Sequence, residues 1–214
     1  MNEIEQDIAA GVAALGQSLP ESSVAKLARL LSELGRWNKR LNLTAIRDEH
    51  EMVSGHVLDS LSIRPLLEGT RVIDIGTGAG FPGLPLAIAE PSRQFVLLDS
   101  NGRKISFVKH MIADLKLHNV TAIQARAEAY AAESPFDTVI ARALASLLRI
   151  TELSADLLAE NGVLLAQKGK YPAEELEELK RHAADWNFRV IELQVPGLPP
   201  KSRHLVRLSR NGIA

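Results

Sequence analysis

Residues 74–80, Asp-Ile-Gly-Thr-Gly-Ala-Gly, have the types and spacing best suited to binding a ligand. The run Arg71 to Ile75 is rich in β-branched residues and breaks at a glycine, which predicts a buried strand. An acid at the end of such a strand, Asp74, faces a cationic group of a ligand. Gly76, Gly78 and Gly80 follow at alternate positions; they let the chain bend sharply and let a ligand approach with no Cβ in the way. A helix is predicted next, with Pro82 in its first turn. Strand, glycine loop and helix open a Rossmann-like unit. Gly78 to Gly83 also satisfies the dinucleotide pattern G-x-G-x-x-G literally. In that register the first glycine falls beyond the strand end. Pro82 also removes an N–H from the helix start, where a pyrophosphate needs donors. The register anchored on Asp74 fits better, and the ammonium of a methionine moiety is a suitable counterpart.

That register resembles the first motif of S-adenosylmethionine-dependent methyltransferases. Two more positions extend it. Val96 to Leu98 predicts a second strand ending at Asp99, 19 residues after Gly80, where a Rossmann-type acid accepts hydrogen bonds from ribose hydroxyls. Phe136 to Ala141 predicts a strand ending at Arg142. Ligands of open α/β sheets sit outside the carboxyl ends of the strands, so Gly76, Asp99, Ala127, Glu128, Arg142 and Lys168 fall on one rim.

The elements that must hold this rim follow from periodicity. Ile4, Ile8, Val12, Leu15 and Leu19 mark one apolar helix face, ended by Pro20. Val24, Leu27, Leu31, Leu34 and Trp37 mark a second. Asp48 and Glu51 resemble a capping box for a third helix, running towards Leu61 and interrupted near Gly55. Residues 1–65 thus read as a helical layer packed on a core of residues 66–214. In that core, strands are predicted at 120–123, 162–167, 188–194 and 205–208, and helices at 104–115, 146–159 and 174–185. The last two strands are joined by Pro196-Gly197-Leu198-Pro199-Pro200, with no room for a helix, so they pair antiparallel. The fold class is α/β, with a mostly parallel seven-stranded sheet.

Composition sets bounds on the chemistry. The 214 residues contain no cysteine, which excludes disulfides, thiolate metal sites and a cysteine nucleophile, and with it pyrimidine-C5 methylation through a thiolate adduct. The six histidines are scattered without metal-ligand spacing, so no metal is expected. Neither a signal peptide nor a membrane-spanning run is present, and a cytoplasmic protein is expected. Net charge is −1, but residues 26–47 carry Lys26, Arg29, Arg36, Lys39, Arg40 and Arg47 against Glu33 alone. Lys201, Arg203, Arg207 and Arg210 form a second basic run. The two runs flank the ligand-binding core and point to an anionic partner.

Asn42-Leu43-Thr44, His56-x-x-Asp59-Ser60, Asp74 to Gly83, Leu98-Asp99-Ser100, Arg142-Ala143, Lys168-Gly169 and Arg203-His204-Leu205 occur in that order. Together they resemble the bacterial 16S ribosomal RNA guanine-N7 methyltransferases, the glucose-inhibited division protein B family, over nearly the whole chain. The resemblance implies a class I methyltransferase fold, S-adenosylmethionine as methyl donor, and a guanine in the decoding-region loop of small-subunit RNA as target. It carries cofactor contacts onto Gly76, Gly78, Phe81, Ala127, Glu128 and Arg142, with Asp99 as the ribose acid. Lys168 and Arg203 are expected RNA contacts, and a monomer acting on 16S RNA or the small-subunit particle is expected. Guanine N7 has a lone pair and no hydrogen, so no general base is required and no catalytic residue is assigned; Arg142 is left between cofactor, base and phosphate. His56, Asp59 and Ser60 share a helix face as a substrate contact or a local hydrogen-bond cluster. The alternatives are a small-molecule methyltransferase, a nucleotide-binding assembly factor without activity, and a dehydrogenase.

Overall fold

The computed structural model describes residues 1–210. A seven-stranded sheet runs in the order β3-β2-β1-β4-β5-β7-β6. Its strands are β1 (Arg71–Ile75), β2 (Gln94–Asp99), β3 (Val120–Gln124), β4 (Phe136–Arg142), β5 (Leu158–Lys168), β6 (Trp186–Glu192) and β7 (His204–Arg210). All pairings are parallel except those of β7, which runs antiparallel to both neighbours. The expected hairpin-like pairing of the last two strands is therefore present, inserted so that β7 lies inside β6.

Alternation along the strands sorts the core into two layers. Val72, Leu97, Ile140 and Leu165 join the helical layer on one face; Ile73, Leu98, Val139 and Leu164 face the other. The first face takes α1 (Glu3–Ala14), α2 (Glu21–Leu41), α5 (Gly83–Ala89) and α6 (Gly102–Asp114). The second takes α7 (Leu147–Ser154) and α8 (Ala173–His182). In α2, Leu27, Leu30, Leu31 and Leu34 are all fully buried. Truncating one such leucine to alanine costs about 2–5 kcal/mol, so the N-terminal helices share one continuous hydrophobic cluster with the sheet. Trp37 closes that layer edge-on to Phe107, at 5.5 Å between ring centroids.

Several boundaries differ from the sequence reading, three of them for a visible physical reason. Helix α1 stops at Ala14, because Gly16 adopts φ 69° and turns the chain before Leu19. Pro82 precedes α5 as its cap instead of standing in its first turn. The helix expected over 146–159 ends at Ser154, and Leu158 already pairs with Phe136 in β5 across a register shift. Tertiary pairing overrides the helical periodicity there.

The third helix has an unusual course. Asp48 caps α3 (Glu49–Met52) by accepting from the Glu51 N–H at 3.0 Å. The helix then widens into a π-helical turn, Val53–Leu58, and closes as α4 (Asp59–Leu61). The interruption foreseen near Gly55 is this turn. Wide turns of this kind concentrate at functional sites, and this one carries His56 and leads into Asp59 under the carboxyl ends of β1 and β4.

Candidate functional site

The glycine loop is tied down by its own backbone and two acids. Thr77 donates its N–H to Leu98 O, and Gly80 and Phe81 donate theirs to Thr77 O, each at 3.0 Å. Gly78 donates to Asp99 Oδ2 at 2.8 Å, while Asp99 Oδ1 accepts from Asn101 N–H at 2.8 Å. Asp99 thus fixes both the loop and the start of α6. A carboxylate offers about four acceptor positions, so capacity remains for a ligand hydroxyl. Gly76 has φ 69°, a conformation costly for any residue with a Cβ, and a Cβ there would come within 2.5 Å of Leu144.

Asp74 requires a correction. It does not open onto the ligand space; it is fully buried. Its Oδ2 accepts from Thr77 Oγ at 2.6 Å and from Gly83 N–H at 2.9 Å, bracing the loop from beneath. Its Oδ1 has no protein partner. Burial pushes its carboxyl up to about 6, against the hydrogen bonds of Thr77 and Gly83 and the nearby Arg142 charge, which hold it down.

A cavity of about 350 Å³ opens beside this loop. Gly76, Asp99, Ala127 and Glu128 line it, as the sequence reading expected. Leu98, Ser100, Lys104, Arg126, Ala143 and Leu144 line it too, and of these Lys104 and Leu144 had no signal beyond their place after the strand ends. Glu128 is held by Arg149 at 2.6 Å. Its own backbone N–H and Arg149 keep its carboxyl below the usual range.

Gly78, Phe81 and Arg142 stand outside that lining. Phe81 is buried and stacks on His56 at 4.7 Å between centroids, and the Arg142 guanidinium lies 5.8 Å over its ring. Arg142 Nη1 donates to Asp59 Oδ2 at 3.1 Å, and Arg203 Nε donates to Asp59 Oδ1 at 3.0 Å. Gln167 Nε2 donates to the Asp59 carbonyl at 3.1 Å. His56 Nε2 meets Thr44 Oγ at 2.8 Å. Burial and then the Arg142 charge take its imidazole down to about 4, partly opposed by the Gly55 backbone. The motif segments at 42–44, 56–60, 142–143 and 203–205 therefore meet in space, with His56 and Asp59 inside a local hydrogen-bond cluster.

Lys168 is placed differently from a phosphate contact. Its ammonium donates to Glu175 at 2.7 Å and to Ala145 O at 2.8 Å, with only 13% of the side chain exposed. It ties β5 to α8 and to the loop after β4. The basic runs are also partly neutralised. Arg29 and Arg36 flank buried Glu33, while Arg203 and Arg207 pair with Asp59 and Glu68. Among the described residues, no group of three or more His, Asp or Glu is placed to hold a metal, and no helix is long and apolar enough to cross a membrane.

Fold and site together define a class I S-adenosylmethionine-dependent methyltransferase. The glycine loop and the free acceptor capacity of Asp99 suit a ligand carrying ribose hydroxyls. Among solved structures the chain is similar to the glycopeptide N-methyltransferase MtfA complexed with S-adenosyl-L-methionine, with TM-score 0.62 and 13% identity over 73% of this chain and 88% of that one. It is also similar to ribosomal protein L11 methylase from Lactobacillus delbrueckii subsp. bulgaricus, with TM-score 0.55 and 18% identity over 72% and 77%. The family model of rRNA small subunit methyltransferase G, GidB, matches residues 23–206. Ribosomal RNA small subunit methyltransferase G of Idiomarina loihiensis is 47% identical over 90% of this chain and 92% of its own length. The protein of the same name from Acinetobacter baumannii is 45% identical over 98% of this chain and all of its own. The chain belongs to the GidB family.

Proposed function

We propose that this protein transfers the methyl group of S-adenosylmethionine to N7 of a guanine in the decoding-region loop of 16S ribosomal RNA. Family membership supports the RNA substrate. The observation that carries the chemistry is how the acidic and imidazole groups at the site are engaged: of the carboxylates on the cavity wall, Asp99 accepts from Gly78 and Asn101, and Glu128 is paired with Arg149. Asp74 is sealed beneath the loop, and His56 is buried with its imidazole lowered to about 4, which makes it a weak proton acceptor. A nucleophile that needs no deprotonation suits such a site, and guanine N7 is one. The end of β4 and the residues after it, where a polar residue and Pro-Pro-aromatic would serve exocyclic amines, read Ala141-Arg142-Ala143-Leu144.

When bound, S-adenosylmethionine supplies an electrophilic methyl group. The chain's own task is to hold and align. Gly76, Gly78 and Asp99 are proposed to hold the cofactor, with Ala127 and Glu128 forming the far wall and Phe81 a buried apolar support. Alignment and exclusion of water then supply the acceleration. Arg203 is proposed to contact RNA; for Lys168 the geometry favours a structural tie. The same reading has the protein acting as a metal-free monomer in the cytoplasm, and light scattering on the purified protein checks the monomer. The deciding assay is transfer of labelled methyl from S-adenosylmethionine to naked 16S RNA, to intact small subunits and to a panel of small metabolites. Label in guanine N7 of RNA is expected; label in metabolites alone would overturn the reading.

A further inference from the structure

The geometry points to Asp59 as a positioning residue that fixes the guanidiniums of Arg142 and Arg203 as a two-pronged clamp for the target nucleotide. This rests on the RNA-methylating reading above.

Asp59 is supplied by the short helix after the π-helical turn, Arg142 by the end of β4, and Arg203 by the residue before β7. The partners lie 83 and 144 residues away in the chain. Only 4% of the Asp59 side chain is exposed, against 21% for Arg142 and 30% for Arg203. The carboxylate is thus the buried hub, and the two cations reach outward from it. Its main chain is fixed as well, because Gln167, at the end of β5, donates to the Asp59 carbonyl.

Two guanidiniums this close repel each other, and each long side chain has many rotamers. A shared carboxylate removes both difficulties: one oxygen takes each arginine. The hydrogen bonds described use one nitrogen of Arg142 and two of Arg203, whose Nη1 also donates to Ser202 O at 2.7 Å. Other N–H groups of both forks remain as donors. The face of Arg142 is set by the Phe81 ring, so its plane is fixed as well as its position.

The ligand that suits such a clamp offers acceptors only. An RNA phosphate does so. On the base, N7 must stay free to take the methyl group, which leaves O6 of guanine as the acceptor on that edge. Adenine presents an amino group there, donor against donor. Two cations around one anion leave a net positive rim, enough to attract RNA without two loose arginines.

The experiment uses the full-length protein with Asp59→Asn, which keeps the side-chain shape, removes the charge and turns amide hydrogens towards one arginine. Single-turnover methylation of 16S RNA at saturating RNA and cofactor is expected to fall on the order of tenfold to a hundredfold, the effect of misplacing groups by about an ångström. RNA affinity is expected to hold or tighten across a salt series, because the rim gains a positive charge. Cofactor affinity by calorimetry is expected to stay close to wild type. A rate within twofold of wild type overturns the proposal. So does a loss of RNA or cofactor binding that parallels the rate, which a merely structural or donor-pocket role would give. If Asp59→Asn does not fold by thermal melting, Arg203→Lys carries the test, since it keeps the charge and loses the Nε donor that meets Asp59. Slower methylation at retained RNA affinity supports the clamp, and an unchanged rate overturns it. Wild-type protein that does not methylate RNA at all would strike the functional reading instead, so the two failures are distinct.

Discussion

On the β1–β2–β3 side of the rim, the site is made of backbone. Gly76 and Gly78 take left-handed conformations, and the loop is closed by main-chain hydrogen bonds and by acids that lie next to it in sequence or one strand away. On the β4–β5–β7 side the site is made of long side chains. There Asp59, Arg142 and Arg203 meet from three distant parts of the chain. The first half can be specified by a local pattern, because a strand, a turn and a helix dictate where the glycines go. The second half exists only once the whole sheet has closed, with β7 inserted between β5 and β6. A small, pre-formed donor site beside a side-chain clamp suits one invariant ligand and one large, shaped one.

Several measurements sharpen or break this division. The largest effect is expected from Gly76→Val. The φ of 69° costs a β-branched residue about 1–3 kcal/mol, and its side chain would enter the space of the cavity wall. Leu144 is partly exposed and can yield, so the protein is expected to stay folded while adenosylmethionine binding is lost in calorimetry. Wild-type affinity in a folded variant would show that this half is not a backbone site.

Next come two opposed titrations, one beneath each half. Asp74 binds its proton more tightly folded than unfolded, so its contribution to stability is full below about pH 4 and is lost as pH rises through about 6. His56 does the reverse: its contribution is full above about pH 6.5 and is lost as pH falls through about 4. Each is worth on the order of 3 kcal/mol, and in the wild type they nearly cancel. Asp74→Asn is expected to unmask stability that rises from pH 4 to 6.5. His56→Gln is expected to unmask stability that falls over pH 4 to 6. Denaturant titrations at several pH values check this, and parallel profiles in all three proteins would refute it.

Asp99→Ala is expected to weaken adenosylhomocysteine by about 1–3 kcal/mol, since it removes acceptors for the ligand and for Gly78. Unchanged affinity by calorimetry would reduce Asp99 to a loop anchor. The smallest effect separates Lys168 from Arg203. Lys168→Ala is expected to cost about 1–2 kcal/mol of stability through the lost Glu175 contact, with no change in the salt dependence of RNA binding. Arg203→Ala is expected to flatten that log–log slope by roughly 0.7 to 0.9. A flattened slope for Lys168→Ala would return it to the RNA-contact role.

What the sequence disclosed follows the same division. The strand 71–75, its glycines and the acid at 99 were legible because their spacing is set by adjacent elements, and four of the expected contacts line the cavity. Asp74 was misplaced because a strand-end acid can turn inward, and only the Thr77 and Gly83 bonds show that it does. The helix at 146–159 was drawn too long because the pairing of Leu158 with Phe136 leaves no local trace. Asp59, Arg142 and Arg203 were each visible as motif residues, yet nothing in the sequence pairs one with another. Lys168 read as a rim cation because its partner, Glu175, lies in a separate helix that no local pattern brings against the end of β5.

The π-helical turn at Val53–Leu58 has a consequence for how this chain tolerates insertions and deletions. Such a turn holds one residue more than an α-helical turn would. Deleting any one residue between 53 and 58 would let the segment wind as ordinary helix, with every hydrogen bond still made and the apolar face nearly kept. An ordinary turn closes the same full circle with one residue fewer, so the flanking helices would keep their facing and the shift would fall on the side chains of the turn itself. His56 would leave Phe81. A chain shortened there would be expected to fold and melt much as before, having lost only the alignment of its active rim.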